Sequence, residues 1–399
     1  MVKKKKFIYW AILSVFILIG TILSININTS SFFGEPSPKN IKKEHNFVES
    51  SPITFNEKPD FNISYKTIEL TVFENQKDIL LVDMGSKPQE IYLSYNEPDR
   101  NVYVVKNYIT GEEKILYENK NVFATAIQGV YNDILYIIET IIQDEKLVSD
   151  VVLVNNNGSV YRYNIGKMDK IPYVQQLDNL LLINYEYREE NMVKTYLTYF
   201  DMTNFNQENI LQEQYTENLS GTVTGKYILF AGGMENTIYY QIVEYNDEDI
   251  EKGGKSYIYK INKNDINSAE KLFELENKAL FLSGDENSLI ISDYVFEPPF
   301  YDSGKLYIKN NDNWSYTIIP NVTAGADLIG AEKISDKVLL IFNNESFYIY
   351  DYINKQYMEE RYRKKFDSLY SRINVSSNKF LYLEDNNGKF YLHVYSYFD

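Results

Sequence analysis

From about residue 50 onward, apolar residues come in short bursts rather than at helical spacing. Runs of four to six, rich in β-branched and aromatic side chains, alternate with clusters of Asn, Asp and Gly. That is the pattern of strands separated by tight turns. One apolar run recurs along the chain: Ile79–Met84 (ILLVDM), then 134–139 (ILYIIE), 180–185, 227–232, 289–294, 338–343 and 380–385 (FLYLED). Successive starts lie 55, 46, 47, 62, 49 and 42 residues apart. A polar pair precedes many of the runs, as at Asn132-Asp133, Asp178-Asn179, Gly225-Lys226 and Asp336-Lys337. Strands with alternating aromatics follow, at 101–106, 194–200, 256–261, 305–309, 346–350 and 389–395. Further strands are expected upstream, at 122–127, 220–224, 279–283 and 369–375, and fourth strands at 114–117 and 271–275.

Four strands in roughly 40–60 residues make one blade of a β-propeller. A lone blade cannot bury both faces, whereas blades stacked around an axis bury both. This explains why the recurring run, read as the second strand of each unit, is apolar on both sides. The pattern predicts an all-β domain over residues 50–399: a seven-bladed β-propeller of four-stranded antiparallel blades. A pair of β-sandwiches or an open array are the other architectures it allows. The final unit reaches residue 399 with three strands, and an open ring would expose strand edges. The segment 51–56 (SPITFN) is therefore expected to supply the missing outer strand.

A different pattern precedes this domain. Lys3 to Lys6 stand before an apolar stretch at 7–25. About 20 apolar residues span a bilayer core, and flanking lysines stay on the cytoplasmic side. Residues 1–6 thus read as a basic cytoplasmic tail and 7–25 as a single transmembrane anchor. Residues 26–49, rich in Asn, Ser, Lys and Pro, read as a flexible stem. The expected location is the cell membrane, single-pass, with the propeller outside the cytoplasm. A cleaved signal peptide is the competing reading. Its apolar region runs about 7–15 residues, and Ser24-Ile25-Asn26 is a poor cleavage site.

Composition sharpens this picture. The 37 Tyr and 22 Phe against 2 Trp favour sheet. The formal net charge is −16; seven Lys and three Glu in residues 1–49 leave about −20 on the remainder. Such a domain repels phosphates, so nucleic acid is excluded as a partner, while cations and basic partners are attracted. There is no Cys, hence no disulfide, thiolate chemistry or zinc–thiolate site. A large exported domain without disulfides fits a Gram-positive bacterium.

The blade period is joined by phrases such as Lys106-Asn107-Tyr108-Ile109-Thr110-Gly111 and Tyr350-Asp351-Tyr352-Ile353-Asn354-Lys355, which read as hairpins between last strands of blades. Together they resemble bacterial propellers of the TolB-like and WD40-like group over residues 50–399. The Trp-Asp and Gly-His signatures of that group, and kelch double glycines, are missing, so the resemblance carries no functional residue.

Candidate chemistry lies with carboxylates and aromatics. Of the two histidines, His45 is in the stem and His393 in the last strand, where it reads as a structural histidine. Hairpins joining second to third strands share one face of a propeller, and here several are acidic: Gln143 to Lys146, Arg188 to Asn191, Tyr245 to Gly254 and Phe296 to Gly304. Loops on a rigid scaffold commonly carry function. The candidate ligand-binding residues are Glu189, Glu190, Asp247, Glu248, Asp249, Glu297, Phe300, Tyr301 and Asp302. Asp247 and Asp249 place hard oxygen ligands at alternate positions, which calcium accepts, though no EF-hand spacing follows; no other cofactor is expected. The leading functional reading is a non-catalytic binding or scaffold module for a basic protein, a peptide or a cell-envelope polymer. The alternative is a carbohydrate-active enzyme of glycoside hydrolase type, with Glu186, Asp293 and Glu297 as candidate acids.

Overall fold

Continuous burial along inner strands, rather than any helical face, organises the chain in the computed structural model. Described are residues 48–49, 62–71, 79–87, 89–97, 100–120, 122–217, 222–234, 236–249, 254–275, 279–284, 288–294, 301–310, 313–318, 328–335, 338–343, 346–351, 354, 356–361, 373–376 and 379–398. The expected tail, anchor and nearly all of the stem lie outside the described residues. Among those described, every regular element is a strand, and no helix is long and apolar enough to cross a membrane.

The strands begin with β1 (Val48–Glu49) and β2 (Asn62–Leu70). One four-stranded sheet follows: β3 (Ile79–Met84), β4 (Glu90–Glu97), β5 (Arg100–Asn107) and β6 (Glu113–Lys120). The next comprises β7 (Ala124–Tyr131), β8 (Ile134–Gln143), β9 (Lys146–Val154) and β10 (Val160–Met168). An eight-stranded sheet runs through β11 (Tyr173–Leu177), β12 (Leu180–Glu189), β13 (Met192–Asp201), β14 (Asn206–Glu217), β15 (Thr222–Met234), β16 (Thr237–Asp249), β17 (Lys255–Asn262) and β18 (Asp265–Leu275). Its two halves are joined at β14–β15 by a short ladder, Tyr215↔Gly225 to Glu217↔Val223. Then come β19 (Ala279–Gly284), β20 (Ser288–Tyr294), β21 (Tyr301–Asn310) and β22 (Asn313–Ile318), with β1 added in parallel to β22. The sheet of β23 (Leu328–Ser335), β24 (Val338–Asn343), β25 (Ser346–Asp351) and β26 (Gln356–Arg361) follows. Last are β27 (Ile373–Ser376), β28 (Lys379–Asn386) and β29 (Lys389–Phe398).

First strands of successive units lie side by side: β3 with β7, β7 with β11, β11 with β15, β15 with β19, β19 with β23, β23 with β27, and β27 again with β3. A closed cycle of antiparallel four-stranded units is propeller-like geometry. The final unit has order β2-β29-β28-β27, so the N-terminal strand is its outer edge. This corrects the expected closing strand. The N-terminal part of the domain does close the ring, but through Asn62–Leu70, registered from Asn62↔Phe398 to Leu70↔Phe390. Residues 51–56 lie outside the described residues. Ile68 and Leu70 give this strand its anchor, because both pack into the core shared with β3–β6.

The β7–β10 unit is buried on both faces, as its apolar run requires. Leu135 and Ile137 of β8 enter one core with Val82, Tyr92 and Tyr103 of the preceding unit. Tyr136 and Ile138, alternating with them, enter another with Leu181, Ile183 and Phe200 of the following unit. All four are fully buried, and each contributes about 1.5–3 kcal/mol of transfer free energy before chain entropy is counted. A second correction concerns the recurring run. It is the second strand in β8, β12, β20, β24 and β28, but Ile79–Met84 and 227–232 belong to the first strands β3 and β15. The second strands there are β4 and β16, with sequences EIYLSYNE and TIYYQIVEYNDED. Tyrosines and polar residues break their apolar pattern, yet residues 91–95 and 237–243 are all buried.

A polar joint ties the first two complete units together. Glu139 on β8 is 2% exposed. Its Oε1 accepts hydrogen bonds from Tyr117 Oη and Asn119 Nδ2, both 3.0 Å away on β6, and its Oε2 meets Arg162 of β10 at 2.8 Å. A buried carboxylate with these partners is satisfied, which burial otherwise penalises heavily.

Candidate functional site

Antiparallel order puts the hairpins between second and third strands at the same end of the ring as the segments leading into each first strand. At this end the β7–β10 and β11–β14 units carry a distinctive surface. The β8–β9 turn has Asp144 at φ 50° and Glu145 at φ 65°, a left-handed pair suited to a two-residue hairpin. The β12–β13 turn has Glu190 at φ 54°. All three carboxylates are exposed, and none has an ion-pair partner among the described residues.

Neighbouring cations are already engaged. Lys146 meets Asp169 at 2.6 Å, Lys170 meets Glu186 at 2.8 Å, Arg188 meets Glu217 at 3.1 Å, and Lys194 meets Glu189 at 2.8 Å. Hydrogen bonds to Asp169 and Glu189 raise the pKa values of Lys146 and Lys194, which keeps both charged. Lys146 also lies 5.0 Å from the Tyr187 ring centroid. Asp169, between β10 and β11, further accepts the backbone N–H of Arg188, so one carboxylate links both units. Lys167, exposed on the outer strand β10, lies opposite Val148 near the same end of the sheet.

Between these charges lies exposed apolar surface: Phe123 before β7, Ile141 and Ile142 at the end of β8, Ile171 and Tyr173 where the chain runs into β11. Phe123 is held by its backbone N–H to Thr140 O, 2.8 Å away, which sets it beside the strand end bearing the two isoleucines. Because β7 and β11 are adjacent, the segments leading into them share one stretch of surface. Apolar groups rimmed by carboxylates, with local cations neutralised, can bind a ligand that is both apolar and positively charged.

The sequence-derived candidates distribute unevenly. Glu189 and Glu190 lie on this surface, Glu189 paired and Glu190 not. Asp247, Glu248 and Asp249 were expected in a loop; instead β16 extends through Asp249, with Val223↔Glu248 and Thr222↔Asp249 in register. Tyr301 and Asp302 likewise open strand β21 rather than sit in a loop, Tyr301 opposite Tyr294. Glu297 and Phe300 lie outside the described residues. Glu186 is held by Lys170 and by Tyr227 Oη at 3.4 Å, and Asp293 pairs in register with Ala279. No group of three or more His, Cys, Asp or Glu that could hold a metal occurs among the described residues. The exposed Phe123, Ile141, Ile142, Ile171 and Tyr173 were missed by sequence reasoning. The available signal was the length of β8: ten residues, ILYIIETIIQ, carry apolar character past the buried run.

His393 is fully buried, as a structural histidine should be. Its Nε2 lies 2.7 Å from Glu384 Oε2 and its Nδ1 2.8 Å from Tyr65 Oη. These bonds join β28, β29 and the closing strand β2.

No protein-family model matches the chain, and no curated protein matches it. Solved structures resemble it. The acylaminoacyl peptidase of Pyrococcus horikoshii has a TM-score of 0.52 at 13% identity, covering 80% of this chain and 52% of that one. The N-terminal domain of Nup159 has a TM-score of 0.50 at 10% identity, covering 88% of this chain and 100% of that one. Oligogalacturonate lyase, solved in complex with manganese, has a TM-score of 0.50 at 10% identity, covering 84% and 96%. At such identities the likeness extends to the fold alone.

Proposed function

We propose that this chain is a membrane-anchored, extracytoplasmic seven-bladed β-propeller of the TolB-like or WD40-like kind. Its β7–β14 end acts as a non-catalytic binding surface for a basic, amphipathic segment of a partner protein. One observation carries this reading. Among the described residues, Asp144, Glu145 and Glu190 stand without ion-pair partners beside exposed Phe123, Ile141, Ile142, Ile171 and Tyr173, while Lys146, Lys170, Arg188 and Lys194 are each held by carboxylates. The hairpins project from rigid sheets, so the surface is preorganised and little ordering entropy opposes binding. The net charge of −16 adds long-range attraction for a cationic ligand, steepest at low ionic strength.

The test uses a fluorescent amphipathic peptide of alternating Lys and Leu character. Saturable binding to the full chain is expected, weakening as salt rises. The triple variant Asp144→Lys, Glu145→Lys, Glu190→Lys should lower affinity at least about tenfold at low salt, the equivalent of about 1.4 kcal/mol. An unchanged isotherm in this variant would remove the surface from consideration.

A further inference from the structure

We propose that Tyr65 is a base-activated nucleophile, with His393 as its general base and Glu384 as the residue positioning that base. An ionised carboxylate only accepts hydrogen bonds. In the tautomer with its proton on Nε2, His393 donates to Glu384 Oε2 across 2.7 Å. Nδ1 then carries the lone pair, and Tyr65 Oη, 2.8 Å away, donates to it. The Thr67 hydroxyl donates to Tyr65 Oη at 2.5 Å and would steady negative charge developing there. A nucleophile bonded to a base, itself oriented by an acid, is the general arrangement for covalent chemistry.

The setting separates the roles. His393 is 0% exposed and stacks on Tyr382 at 4.3 Å with an 11° interplanar angle, so it is shielded and fixed. Tyr65 is 47% exposed, on the outer strand, where an electrophile can reach it. Other tyrosines donate to carboxylates, such as Tyr95 to Glu113, but that phenol is buried. His393 is the sole histidine after residue 45.

The chemistry this fits is transfer of an acyl or sulfonyl group from an activated donor. The phenol oxygen forms the new bond, the bond to the leaving group breaks, and the phenolic proton passes to His393 Nδ1 and on to the leaving group or water.

The probe is an aryl sulfonyl fluoride applied to the full-length chain in detergent, with modified tyrosines mapped by mass spectrometry. Here fluoride leaves as sulfur bonds to the phenol oxygen. Tyr161 is the internal standard, because it too is 47% exposed. General-base assistance contributes roughly 10²–10⁴-fold, so Tyr65 should react at least about tenfold faster than Tyr161 near neutral pH. Glu384→Gln retains an oxygen to accept the Nε2 proton but lacks the charge. It should lower the Tyr65 rate at least about tenfold and leave Tyr161 unchanged. Equal rates for the two tyrosines in the unsubstituted chain overturn the proposal, as does a Tyr65:Tyr161 ratio unmoved by Glu384→Gln.

Discussion

A chain cut to begin at residue 71 should lose cooperative unfolding and aggregate, whereas one cut to begin at residue 48 should unfold as the full domain does. The difference is β2, together with the two-residue β1 on the edge of β22. Without β2, Ile68 and Leu70 leave the core they share with Leu81, Leu93, Leu383 and Leu392, and Leu392 and Val394 of β29 lose cover. Four such side chains at about 1.5–3 kcal/mol each amount to roughly 6 kcal/mol or more, a large fraction of the 5–15 kcal/mol typical of a domain. The ten-residue β29 also becomes an open edge with unpaired backbone groups, a template for association. Urea unfolding followed by tyrosine fluorescence measures the loss, and a synthetic 62–70 peptide supplied in trans should restore part of it. Equal midpoints for the two truncations would mean that β2 contributes nothing to closure.

The second large effect is expected for Glu139→Ala, at about 3 kcal/mol of destabilisation. Its carboxylate is the described acceptor for the side chains of Asn119, 3% exposed, and Tyr117. Deleting one partner leaves the other groups buried and unsatisfied, which costs more than the bond contributed. The Arg162 side chain is 48% exposed and keeps its water, so its lost ion pair adds little. Glu139→Gln keeps one carbonyl acceptor and should cost about half as much. A spectroscopic sign should accompany the change. Burial first, and then the Glu139 charge, push the Tyr117 phenol above its ordinary value. In Glu139→Ala it should ionise at lower pH than in the parent, seen by absorbance titration. Denaturant midpoints within error of the parent would show that the joint is solvated rather than buried.

The sequence made strands visible where burial acts on aliphatic side chains. Leu135 to Ile138 read as a doubly buried strand because both neighbouring cores demand apolar residues there. Residues 91–95 did not, because Tyr92, Ser94 and Tyr95 fill the same role in β4 while breaking the pattern. The closing strand was hidden for a related reason. An outer strand is half exposed, so Thr67 and Glu69 alternate with Ile68 and Leu70, Lys66 interrupts the apolar face, and the signal is diluted. Turns such as Asn132-Asp133 and Asp385 to Gly388 were legible from their residues, and their left-handed φ values agree. Phe205, at φ 56°, was not, since its conformation depends on stacking against Tyr163 at 5.7 Å from the neighbouring unit. At the candidate site the acidic hairpins could be read, but the ion pairs could not. Lys170–Glu186 and Arg188–Glu217 join residues that only the folded sheet brings together.

Closure by the N-terminal strand can be measured directly, because the chain contains no cysteine to interfere. Ser64 and Ser396 are opposite one another on β2 and β29, and cross-strand partners lie within disulfide reach. In the double variant Ser64→Cys, Ser396→Cys, mild oxidation of the folded protein should form an intramolecular bond that links the first and last strands of the domain. Moving one thiol to Lys66, while keeping that at 396, should abolish it. Free thiols in the directly opposed pair after oxidation, or equal yields for both pairs, would contradict a ring sealed between residues 62–70 and 389–398.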